Sequence, residues 1–256
     1  MRAVALHEDV LVLESRVWRT TCTVVRGGEE CFVIDSPVLP DEIELLPAVL
    51  EQSGFVLSGL LATHGDWDHL LGRLAFGGAA LGVAETTAAR LRAQPGAAQR
   101  SLRDFDERFY LSRPSALALG QVEPLAVPGY CGLGDHELEL HPAAGHTVDG
   151  MAIWAPWLGL LVCGDYLSPV EIPTVGAGVG EYLATLARLE PLVANATHVV
   201  PGHGGVIDGE TAMAVLAEDR AYLEALRSDG ESARLPRGRR DSEQRRLHAE
   251  NVAQLS

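Results

Sequence analysis

The stretch Thr63-His64-Gly65-Asp66-Trp67-Asp68-His69 constrains this chain more than any other. It follows an apolar run, Phe55 to Ala62, that reads as a buried strand. Two imidazoles and two carboxylates then fall within six residues, and these are the ligands that borderline and hard divalent ions take. A loop leaving a buried strand can aim several side chains into one cleft. The same residues also suit a polar turn capping a helix that starts near Leu70. The two readings differ in what they require elsewhere: a metal loop needs further ligands from distant parts of the chain, whereas a turn needs none.

Such ligands are present. His146 lies in Ala144-Gly145-His146-Thr147, Asp165 in Cys163-Gly164-Asp165, and His203 in Pro201-Gly202-His203-Gly204. Each sits beside a short apolar segment and next to glycine, which lets backbone approach closely where ligands converge. In this order and at this spacing the pieces resemble the metallo-β-lactamase superfamily. Its motif is usually His-x-His-x-Asp-His, followed by a His, an Asp and a His. The resemblance spans residues from about 20 to 210 and implies an α/β fold, a four-layer αββα sandwich. It places a first metal on His64, Asp66 and His146 and a second on Asp68, His69 and His203, with Asp165 bridging both.

The implied chemistry is that of a dinuclear metal-dependent hydrolase, which directs a metal-bridging hydroxide at an ester, thioester, lactone or phosphoester. Asp68 is the candidate catalytic residue: either Asp68 in its protonated form or a metal-bound water would supply the leaving group's proton. Two divalent ions per chain are expected, zinc first, with manganese or iron as alternatives. One position departs from the usual motif: Asp66 stands where the family normally has histidine. The added negative charge should lower the Lewis acidity of the first metal and favour the harder ions. A damaged site holding one metal or none is the other reading of Asp66. Glyoxalase-like hydrolases of the superfamily also carry an acid there. So do the flavodiiron oxygen and nitric oxide reductases, and a di-iron redox protein is therefore the alternative function, although this chain has no room for a flavin domain. A non-catalytic binding module on the same fold is disfavoured because every ligand position is filled. Cys163 lies two residues too early to be the cysteine ligand of true β-lactamases, so the resemblance is to the glyoxalase II and lactonase side.

With 256 residues the chain can form one large domain, 1–256, carrying a polar helical tail from about residue 228. A formal net charge of -15 argues against nucleic acid, because phosphate binding is driven by Lys and Arg. The expected partner is a small-molecule substrate; no membrane partner is expected, and a homodimer is compatible with the sequence. Four cysteines without a Cys-x-x-Cys pair argue against a structural zinc knuckle. Cys22 and Cys31 fall on neighbouring strands, and their pairing cannot be read from sequence. The opening residues do not resemble a signal peptide, and no apolar run approaches the ~18 residues of a membrane span. A reducing cytoplasm with free thiols is the expected setting.

Strands are predicted at Leu11–Leu13, Thr20–Val25, Cys31–Ile34, Leu81–Ala84, Glu137–Leu140, Met151–Trp154, Leu158–Val162 and His198–Val200. Helices are predicted from Pro40 to Ser53, from about Leu70, and over Thr86–Ala93, Glu181–Leu189, Thr211–Leu226 and Ser242–Gln254. Residues 97–131 fit these patterns least. Ser101–Tyr110 reads as a charged helix, either solvated or turning Arg108, Phe109 and Tyr110 to a substrate. Asp35 reads as a turn carboxylate or as a support for the metal site, and Tyr166 reads as core. Trp67 either walls the pocket or packs. His141 and His198 lie on strands near ligands, and His7, His136 and His248 read as surface residues.

Overall fold

The computed structural model describes residues 1–255. A first sheet runs in sequence order through β1 (Arg2–His7), β2 (Val10–Glu14), β3 (Thr21–Gly27), β4 (Glu30–Asp35), β5 (Leu57–Ala62), β6 (Leu81–Ala84) and β7 (Val122–Leu125). The second sheet contains β8 (Gly129–Leu133), β9 (His136–Pro142), β10 (Met151–Ala155), β11 (Leu160–Gly164), β12 (His198–Pro201) and β13 (Ile207–Asp208), in the spatial order 13-12-11-10-9-8. The helices are α1 (Pro40–Gln52), α2 (Gly72–Ala75), α3 (Glu85–Ala93), α4 (Ala97–Phe109), α5 (Val179–Val193), α6 (Gly209–Asp229) and α7 (Ser242–Ala253).

Strand periodicity explains the layers. In β2, Leu11 and Leu13 join a core shared with α1 and α4, while Val10 and Val12 join a second core that includes Leu138, Ile153 and Val162 of the other sheet. In β11, Leu161 and Cys163 pack with residues of α5 and α6, while Leu160 and Val162 face the first sheet. Successive side chains point to opposite faces, so strands buried on both faces must be apolar throughout. The expected αββα sandwich is the observed one.

The strand directions then place the functional edge. β4 pairs parallel with β5, and β11 pairs parallel with β12. The loops after β5, β11 and β12 therefore leave the two sheets at carboxyl ends, where open α/β sheets form their crevices. The sheets are tied there by backbone: Thr21 N–H donates to Gly202 O at 2.8 Å and Met151 N–H to Thr63 O at 2.7 Å.

Two readings change, and one left open is resolved. The helix expected from Leu70 shrinks to a 3₁₀ turn, Trp67–His69, followed by the four-residue α2. Within 97–131 the chain forms α4 and two strands, β7 and most of β8, whose glycine and proline content hid them. Cys22 and Cys31 do lie on neighbouring strands, but Cys31 opposes Arg26, four residues along β3 from Cys22 and roughly 13 Å away at strand spacing. Both thiols are free and buried.

The polar tail is more deeply engaged than its composition suggests. Arg239, Gln244 and Asn251 are buried. Arg239 donates to Ser168 O at 3.1 Å, to Glu171 O at 2.8 Å and to Asp219 at 2.5 Å. The Gln244 amide oxygen accepts from Ile172 N–H at 2.7 Å. Asn251 accepts from Val175 N–H at 3.0 Å and donates to Pro173 O at 2.7 Å. Three side chains of the tail thus satisfy five backbone groups of the loop that follows Asp165.

Arg239→Met should destabilise the protein by about 3–5 kcal/mol, because it strands the buried Asp219 carboxylate without its partner. Chemical denaturation measures this; a loss below about 1 kcal/mol would show that the pair is not needed to hold the tail.

Candidate metal centre

The local chain conformations that build the centre follow from its residue types. Asp35, at the end of β4, adopts φ 59°, a left-handed conformation that aspartate tolerates. Its carboxylate accepts from Thr63 N–H at 2.8 Å and from the Thr63 hydroxyl at 2.9 Å, and lies 3.0 Å from His69 Nδ1. Asp35 therefore supports the metal loop instead of ending an ordinary turn. Gly202 has no space for a side chain: a Cβ there would collide with the Asp165 carboxylate and press on the His69 ring.

The structure brings all seven predicted side chains together. Ligand atoms of His64, Asp66 and His146 lie within 4.8 Å of one another, and so do those of Asp68, His69 and His203. These are the two sets that the resemblance implied. Asp165 stands between them: Oδ2 is 3.7 Å from His64 Nε2, 3.2 Å from His146 Nε2 and 3.3 Å from His203 Nε2, while Oδ1 is 3.2 Å from His69 Nε2. Asp66 Oδ2 is 3.6 Å from His64 Nε2 and 3.4 Å from His146 Nε2. Asp68 Oδ2 is 3.8 Å from His69 Nε2 and 3.6 Å from His203 Nε2.

These residues fit divalent ions. Ligands arranged tetrahedrally at about 2.1 Å from an ion lie roughly 3.4 Å from each other. Nε2 of His64, His69 and His146 and Oδ1 of Asp165 are buried without a hydrogen-bond partner, which protein interiors rarely allow unless something else satisfies them. The outer nitrogens are anchored: His64 Nδ1 lies 3.1 Å from the Thr63 hydroxyl, and His203 Nδ1 lies 3.3 Å from the Thr20 hydroxyl. Such anchoring fixes the ring so that Nε2 points inward.

Other candidates sort out by contact. Cys163 is fully buried, its thiol directed at the Tyr166 and Val200 carbonyls, and it belongs to neither ligand set. Tyr166 is core; its hydroxyl donates to Ala143 O and accepts from His146 N–H, pinning the loop that carries His146. Trp67 packs with Trp18 and Phe105 at ring separations of 5.9 and 4.9 Å. Its flank also lines a cleft with Asp66, Arg90, Gln94 and Ser101. Phe109 touches Phe105, whereas Tyr110 is exposed. His136 stacks on Trp157, and His248 contacts Tyr222. His141 and His198 join none of the candidate ligand groups. The sequence reading missed Arg90, Asp149 and Glu171. Arg90 and Asp149 brace the metal loop, and Glu171 lines a second cleft with His146, Asp165 and Ser168. None of the three belongs to a recognisable local pattern.

Opposite charges at the centre shift one another's protonation. Burial opposes protonation of His203, but Asp165, Glu171 and Asp68 outweigh it and lift its pKa to about 10. Burial likewise opposes ionisation of Asp165, yet His203, His69 and His146 hold its carboxyl well below the usual range. The same carboxylates raise the pKa of His69 and His146 against the effect of their burial.

An ion needs a neutral imidazole, so binding at neutral pH should expel protons, and metal affinity should rise with pH towards about 10. Titration calorimetry in buffers of different ionisation enthalpy measures the release; a zero proton count would contradict this charge state. Cys163→Ser should keep the full metal content in elemental analysis, and loss of one ion at intact fold would make the thiol a ligand.

The fold has relatives among solved structures. A metallo-beta-lactamase family protein from Thermus thermophilus superposes with a TM-score of 0.65 at 23% identity, covering 88% of this chain and 83% of that one. The DIM-1 metallo-beta-lactamase gives 0.61 at 19% identity, covering 88% and 96%. The inverting sec-alkylsulfatase Pisa1 from a Pseudomonas species gives 0.71 at 14% identity, covering 99% of this chain but 49% of its own. No curated protein sequence matches the chain. The profile of the metallo-beta-lactamase superfamily matches residues 15–203, a span that holds all seven candidate ligands, and the chain belongs to that superfamily.

Proposed function

We propose that this protein is a dinuclear metal-dependent hydrolase that cleaves an ester, thioester, lactone or phosphoester bond in a small molecule. The observation that carries the reading is Asp165, whose carboxylate lies 3.2–3.7 Å from imidazoles of both ligand sets. His64, Asp66 and His146 would hold one ion, Asp68, His69 and His203 the other, and Asp165 both. Two ions so placed supply a nucleophile made from water at neutral pH and polarise the bond under attack.

The protein's own groups divide the remaining work. Asp165 is committed to four imidazoles, and one oxygen of Asp66 is held by Arg90 at 2.7 Å. Asp68 is the acid of the set with the longest contacts, 3.6 and 3.8 Å, and is left to pass a proton to the leaving group. Trp67, Gln94 and Ser101 line one cleft beside the ligands, and Ser168, Glu171 and Thr174 line the other. These mixed walls suit a substrate with both polar and apolar parts.

The acid at position 66 favours one other reading, a di-iron redox centre. Elemental analysis with an absorption spectrum separates the two: coloured, iron-rich protein supports redox chemistry, and colourless zinc or manganese protein supports hydrolysis. For the hydrolase, Asp68→Asn should cut turnover by at least roughly 10²–10⁴-fold, the usual worth of a positioned general acid, and should also weaken the second ion, which Asp68 helps to hold. Asp165→Ala should lose at least one ion and abolish turnover. The assay is a screen of thioesters, lactones and phosphoesters beside metal content. Asp165→Ala protein with both ions and full activity would sink the reading.

A further inference from the structure

Asp66 is the ligand position where this chain departs from the usual motif, and it is not alone in the structure. Its Oδ2 faces His64 and His146, but its Oδ1 accepts from Arg90 at 2.7 Å. The other arm of the same guanidinium donates to Asp149 Oδ1, also at 2.7 Å. Asp149 Oδ2 in turn accepts from Gly65 N–H at 3.0 Å. Asp149 is buried, and the Arg90 side chain is 23% exposed. Arg90 comes from α3, on a different element from both acids. One cation therefore grips a candidate metal ligand with one arm. With the other it holds the acid that fixes the backbone between His64 and Asp66.

This arrangement has two consequences. A carboxylate can rotate to offer either oxygen, whereas here one oxygen is tied down and only the other can face an ion. The extra negative charge that Asp66 brings is also matched by a positive charge at hydrogen-bond distance. A guanidinium suits the task because its planar fork reaches two acids at once and stays protonated at any working pH. Arg90 does remain charged, since Asp66 and Asp149 outweigh the effect of its partial burial.

We propose that Arg90 is the positioning residue for Asp66, and that the Asp66–Arg90 pair stands in for the neutral histidine found at this position elsewhere in the superfamily. The net charge presented to the first ion is then that of an imidazole. The preference for harder ions expected from a bare carboxylate is accordingly muted. The inference rests on the metal reading given above.

The test is a cycle of four proteins: wild type, Arg90→Met, Asp66→His and the double variant. Zinc and manganese affinities are measured by chelator competition, with thermal unfolding as a check on fold. In the wild-type background Arg90→Met should weaken zinc binding about 10–100-fold, as loss of an orienting partner usually does. In the Asp66→His background the same substitution should strengthen zinc binding, because the guanidinium there faces a neutral ligand and an ion without its carboxylate. The effect of Arg90→Met must reverse sign. A purely structural arginine would produce the same loss in both backgrounds, and that result overturns the proposal. If Arg90→Met does not fold, Arg90→Gln serves in the cycle, since it keeps a donor for Asp149 without the charge. Wild-type protein that binds no ion would sink the metal reading and this inference together; bound ions with equal effects would sink only the inference.

Discussion

A single carboxylate, Asp165, surrounded by four imidazole nitrogens at 3.2–3.7 Å, governs how the rest of the molecule is arranged. Burying it is unfavourable without a compensating partner. The imidazoles that compensate it come from three separate loops across two sheets. Those loops can converge only because β5, β9 and β12 deliver them at the edge where β11 delivers Asp165. The ties between Thr21 and Gly202 and between Thr63 and Met151 hold the edges together at that point. The crowding explains Gly202, where any side chain would displace Asp165.

Around this centre the supporting contacts form a graded series. Asp35 steadies Thr63 and His69; Thr20 and Thr63 set the rings of His203 and His64; Tyr166 holds the backbone of His146. Arg90 and Asp149 brace Asp66 and Gly65. Orientation is thus supplied by hydrogen bonds to backbone and outer atoms, which leaves Nε2 of His64, His69 and His146 turned inward without a hydrogen-bond partner.

The tail shows how function reaches beyond the ligand loops. Arg239, Gln244 and Asn251 hold the segment Ser168–Val175, which contributes Glu171 to a cleft beside His146 and Asp165. A charge-dense, arginine-rich tail has the composition of a solvated helix. What distinguishes it is that its polar groups meet unpaired backbone carbonyls and amides of a loop more than sixty residues away, and composition carries no record of that meeting.

The sequence by itself, through its resemblance to the superfamily, pointed to the layers and to seven candidate ligands. Strands buried on both faces must be apolar throughout, so Leu11–Leu13 and Leu158–Val162 announce themselves, and the run His64-Gly65-Asp66-Trp67-Asp68-His69 with His146, Asp165 and His203 beside glycines further on resembles the superfamily's motif and marks the seven residues that the structure gathers. Those signals are local and survive in one dimension. Tertiary structure alone decided the partners. Arg90 is an ordinary arginine on a helix until α3 brings it to Asp66, and Asp149 is an ordinary loop acid until it meets Gly65. Asp66 read as a bare negative charge because its counter-charge lies 24 residues away. Electrostatic energy depends on distance in space, and no spacing along the chain encodes it.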